Sequence, residues 1–126
     1  MPKSCWLLLV RNCSAADRAT LDDPRNFAII LDGMKRSWAA CPDGVHDDGT
    51  LYARPWNFDP AQIRVPVEFW HGGNDINFPP ELARKLAASI PGANLHVVPE
   101  EGHYSLPANH ADAILVTLAS QARRTE

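Results

Sequence analysis

Two short segments bring together residue types that can move a proton: His71-Gly72-Gly73-Asn74-Asp75 and Pro99-Glu100-Glu101-Gly102-His103. Each follows a short apolar run, Val65 to Trp70 and Leu95 to Val98, that reads as a β-strand. In an open α/β sheet, ligands and reactive groups gather beyond the carboxyl ends of the strands. Neighbouring strands lie about 4.8 Å apart, so Asp75 and His103 can meet across adjacent loops despite their separation in sequence. A carboxylate that accepts the Nδ1 proton of an imidazole fixes its tautomer, and leaves Nε2 to take a proton from a nucleophile. Asp75 and His103 are therefore the candidate catalytic residues.

The elements that must hold this pair are legible in the second half of the chain. Between the two strands, Pro79-Pro80 opens a helix whose Leu82, Ala83, Leu86, Ala87 and Ile90 share one face, and Pro91-Gly92 stops it. After the second loop, Ala111, Ile114, Leu115, Leu118 and Ala122 give a last helix its expected buried stripe. The order β-α-β-α fits a right-handed crossover in a parallel sheet. Two strands are few for such a sheet, which needs cover on both faces and neighbours on its edges.

The first half is less regular. Asp23-Pro24 reads as an N-cap followed by proline at the first helical position, and Phe27, Ile30, Leu31, Met34 and Trp38 recur at helical spacing through residues 24–40. From Cys41 to Pro60 the abundance of Pro, Gly and Asp predicts a long irregular connection. Trp6 to Val10 is compatible with either a strand or a short buried helix. The expected class is α/β, with residues 1–60 as a helical and irregular segment and residues 61–126 as the βαβα part of one compact unit.

Composition narrows the partners. At 126 residues the chain supports one core. Its 12 Lys and Arg against 15 Asp and Glu leave a net charge of -3, which argues against nucleic acid. No apolar run approaches the roughly 18 residues of a membrane span. The run Cys5 to Val10 is short for a secretory signal and Arg11 closes it, so a cytoplasmic protein is expected. Cys5, Cys13 and Cys41 are odd in number and lack C-x-x-C spacing, as reduced thiols would be.

Other reactive side chains have plainer readings. Glu100 and Glu101 read as a solvated pair on a loop. His71 and His110 are possible metal ligands beside Asp75 and His103, but no H-E-x-x-H or similar pair occurs, so neither a metal nor another cofactor is expected. His46 and His96 read as surface or partly buried residues. Trp38, Trp56, Phe58 and Trp70 read as core.

Taken together, strand-HGGND, PP-ELARKLA, strand, EEGHYSL and a last helix resemble the C-terminal part of an α/β-hydrolase. The resemblance runs from about Asp17 to Leu118. Within it, DRATLDDPRNFAIILDGMKRSW and RPWNF resemble the end of that family's cap region and the lead into its penultimate core strand. It implies a partial hydrolase-like parallel sheet preceded by a helical cap-like segment. It also implies that Asp75 is the triad acid, that His103 is the triad base, and that Gly72 and Gly102 are the small residues that let the loops turn.

That family carries its nucleophile on a G-x-S-x-G elbow earlier in the chain. None is present here, and Ser4, Ser14, Ser37, Ser89, Ser105 and Ser120 all lack the flanking glycines. The expectation is a portion of a hydrolase of ester or amide bonds that supplies acid and base but is inactive alone. A small-molecule substrate would bind once a nucleophile-bearing segment completes the site. The alternative is a non-catalytic interaction module, or truncated paralogue, that docks through an open sheet edge to a second copy or a complementary hydrolase half.

Overall fold

In a computed structural model of the chain, residues 13–41 and 43–122 are described. They form a mixed α/β structure with five helices and a two-stranded parallel sheet. Helix α1 (Ala15–Asp22) is capped by the Ser14 hydroxyl, which accepts the Asp17 N–H at 3.1 Å. The chain turns at Asp23, whose carboxylate caps α2 (Pro24–Ala40) by accepting the Arg25 N–H at 2.7 Å. The Asp-Pro start therefore works as the sequence predicts. The apolar face of α2 is only half-buried at Phe27, Ile30, Leu31 and Met34.

Helix α3 (Gly44–Tyr52) replaces the first part of the connection expected to be irregular. Gly and Asp favour turns, but they also suit helix starts, and Asp47 lies in the first turn where the helix dipole favours a negative charge. Trp56 and Phe58 follow, stacked on each other at 5.5 Å. Along with Trp38 they are exposed instead of core, because among the described residues no element covers them; Trp70 is half-buried.

Strand β1 (Glu68–Gly72) starts three residues later than its apolar run and extends through His71. Pro66 has no N–H to donate, so pairing is taken up only beyond it. Helix α4 (Pro80–Ser89) crosses to strand β2 (Asn94–Val98), which lies parallel to β1 with Trp70 opposite His96 and Gly72 opposite Val98. Ala83, Ala87 and Ile90 are buried as expected, Leu86 is half-buried and Leu82 is exposed. Gly92, at φ 74°, makes the left-handed turn between α4 and β2 that glycine permits.

Helix α5 (Ser105–Ala122) packs against β1 and against α1. Much of its predicted stripe is left uncovered: Leu115 is 60% and Leu118 is 62% exposed, Ala111 is also exposed, and Ile114 is half-buried. Among the described residues the sheet has two strands, too narrow to cover an 18-residue helix along its length. Among the described residues the buried apolar side chains are few, and half of them are small: Cys13, Leu21, Ala83, Ala87, Ile90 and Leu106. No helix among the described residues is long and apolar enough to cross a membrane.

Candidate acid–base site

The two parallel strands end side by side, and their loops are stitched together. Gly73 N–H donates to Val98 O at 2.7 Å, and Asn74 N–H donates to Glu101 O at 2.9 Å. Such close approach requires glycine at Gly72, where an added Cβ would sit 2.5 Å from the carbonyl oxygens of both Glu101 and Gly102. Those are backbone atoms and cannot swing aside. Gly72→Ala is expected to destabilise the chain by about 1–3 kcal/mol and to part the two loops. Urea denaturation checks this, and an unchanged midpoint would contradict it.

Asp75 is 6% exposed and uses both of its oxygens. Oδ1 accepts the N–H groups of Asn77 and Phe78, both at 2.9 Å, which turns the loop after β1 into α4. Oδ2 faces His103 Nδ1 at 3.0 Å across 28 positions of sequence. An ionised carboxylate only accepts, so in this contact Nδ1 carries the proton. Nε2 of His103 has no hydrogen-bond partner among the described residues. The ring is flanked by Phe78 at 5.6 Å and by the edge of Tyr104 at 5.0 Å.

His71 stands beside the pair without joining it. Its Nε2 lies 2.8 Å from Phe78 O, an acceptor, so Nε2–H is committed there; Asp75 Oδ2 is 3.8 Å away. His110 pairs with Glu101 at 3.2 Å, and His96 stacks on Trp70 and reaches Glu68 at 2.6 Å. No group of three His, Cys, Asp or Glu side chains among the described residues is arranged to hold a metal.

Glu101 departs from its expected solvated role. Its side chain is mostly buried and accepts from Asn109 at 3.0 Å. Burial pushes its carboxyl up, but hydrogen bonds from Ser105, Asn109 and His110 outweigh that and hold it below the usual range. Glu100 is exposed, as predicted.

Sequence reasoning missed Asp17. This residue is 0% exposed, and its carboxylate accepts the N–H groups of His103, Tyr104 and Ser105 at 3.0, 2.7 and 2.9 Å. Ser105, also fully buried, accepts the Gly102 N–H at 2.7 Å. A Cβ on Gly102 would overlap Ser14 Oγ and the Asp17 carboxylate, so glycine is needed there as well. The S-x-x-D spacing of Ser14 and Asp17 signals a helix start, yet nothing in it points to a partner near the other end of the chain.

No protein-family model matches this chain, and no curated protein matches it. A solved esterase from Exiguobacterium antarcticum is similar in part. That likeness has 29% identity and a TM-score of 0.41, and covers 49% of this chain and 22% of the esterase. The chain thus matches about a fifth of that protein's length.

Proposed function

We propose that Asp75 and His103 are the acid and base of a nucleophile-His-acid triad of the α/β-hydrolase type, acting in hydrolysis of an ester or amide bond. The observation that supports this reading is the 3.0 Å contact between His103 Nδ1 and a buried carboxylate at the carboxyl ends of parallel strands. Asp75 holds the proton on Nδ1, and Nε2 then accepts the proton of an attacking hydroxyl and returns it to the leaving group. The sequence holds no G-x-S-x-G, so the nucleophile and oxyanion donors come from another segment, and a small-molecule substrate binds where the two meet.

The test is reconstitution. Alone, the chain is expected neither to hydrolyse activated esters above buffer nor to react with a fluorophosphonate. Co-expressed with a nucleophile-bearing α/β-hydrolase segment, it is expected to support ester hydrolysis that His103→Ala abolishes. Labelling of a serine in the isolated chain, or reconstituted activity indifferent to His103→Ala, would refute the proposal.

A second reading, docking without catalysis, is favoured by the exposed apolar face of α5 at Leu115, Val116 and Leu118. It shares with the first the expectation of a covering surface, either a complementary segment or a second copy. The isolated chain should bind a hydrophobic dye and associate as concentration rises, and Leu115→Lys with Leu118→Lys should suppress both. A monodisperse monomer without dye binding would show that this face needs no cover.

A further inference from the structure

We infer that Asp17 is a positioning residue for His103, fixing the backbone of the base while Asp75 fixes its ring. This inference rests on the reading of Asp75 and His103 as an acid–base pair. His103 is held from two sides by two carboxylates: Asp17 Oδ2 takes its N–H at 3.0 Å, and Asp75 Oδ2 takes its Nδ1 proton at 3.0 Å. The other oxygen of Asp17 accepts the next two N–H groups, Tyr104 and Ser105, where α5 begins. Three successive backbone groups are thus fixed relative to α1, and the Cα of His103 has little freedom left.

The anchor is itself tied down. Ser14 Oγ accepts the Asp17 N–H, Arg18 Nη1 donates to Cys13 O at 2.9 Å, and α1 packs on both α2 and α5. Gly102 leaves the gap through which the carboxylate reaches the loop. The carboxylate also meets the positive end of α5, whose first N–H groups would otherwise lack partners. A helix cap would need only some of these contacts. What assigns Asp17 to the site is that its first partner is the N–H of His103 itself, so a shift of Asp17 moves the base relative to Asp75.

The decisive readouts are the ring nitrogen signals of His103 and amide exchange along the loop, measured on the whole chain. Asp17→Asn keeps the shape but turns an amide donor toward backbone donors. It is expected to raise exchange at His103, Tyr104 and Ser105 at least tenfold beyond any change in α4, and to shift the ring away from the Nδ1–H form. Ile90→Ala, a buried change before β2, is expected to lower stability while leaving the ring signals of the folded chain as they are. Ring signals unmoved by Asp17→Asn, or moved equally by Ile90→Ala, would overturn the inference.

If Asp17→Asn does not fold, Ser14→Ala decides. It removes the hydroxyl that holds Asp17 and should shift the ring signals in the same direction by a smaller amount; no shift would overturn the inference. A wild-type ring without an Nδ1 proton would overturn the acid–base reading and this inference with it. A wild-type ring that has one, kept in Asp17→Asn, would overturn this inference alone.

Discussion

Asp17→Ala is expected to remove about 3–5 kcal/mol of stability. The change strips the acceptor from three N–H groups, one buried and two part-buried, and a buried donor left without a partner costs about 1–3 kcal/mol. Whole domains are stable by roughly 5–15 kcal/mol, so a chain with so small a buried core would be left near its limit. Urea denaturation measures the loss.

The same contacts set an acid dependence. Burial pushes the Asp17 carboxyl up, but the three backbone donors and Ser14 outweigh it, so its pKa lies below the usual range. A carboxyl lower in the folded than in the unfolded chain contributes its full stabilisation above its unfolded value of about 4. That contribution is lost as pH falls through the lower folded value. Asp17→Ala should abolish this part of the acid lability, and a variant that keeps both midpoint and acid profile would contradict the role of the carboxylate.

In a reconstituted hydrolase, Asp75→Asn is expected to lower kcat by about 10⁴-fold, an effect of the size seen when a triad acid becomes an amide. The substitution is informative because it separates the two oxygens. An Asn Oδ1 can still accept the N–H groups of Asn77 and Phe78, so the loop survives. The amide nitrogen then faces His103 Nδ1 and favours the tautomer with the proton on Nε2, which cannot act as a base. His103→Ala should lose at least as much, and the double variant little more than either single one, because residues that act as a unit are not additive. A loss below tenfold in Asp75→Asn would show that the carboxylate does not govern the base.

The elements around the site were largely legible in the sequence, because local chemistry sets them. Asp23-Pro24, Pro79-Pro80 and Pro91-Gly92 start and stop helices by rules that need no tertiary information. That Asp75 and His103 meet was legible because each follows a strand of the same parallel pair. Burial was less legible. Periodicity says which side chains share a face, and Leu115 and Leu118 do share one, but whether that face is covered depends on elements elsewhere. Asp17 was invisible for the same reason: its partners lie 86 to 88 positions away, and a capping serine three residues earlier accounts for it locally. Glu101 likewise gained its partners from α5, not from its own loop.

The most direct measurement is the nitrogen spectrum of the His103 ring in the intact chain, recorded above the pH at which the imidazole is protonated. The expected result is a proton held on Nδ1 and an unprotonated Nε2, with this preference lost in Asp75→Asn. An Nε2–H tautomer in the wild-type chain, or a ring indifferent to Asp75→Asn, would contradict the assignment of Asp75 and His103 as acid and base.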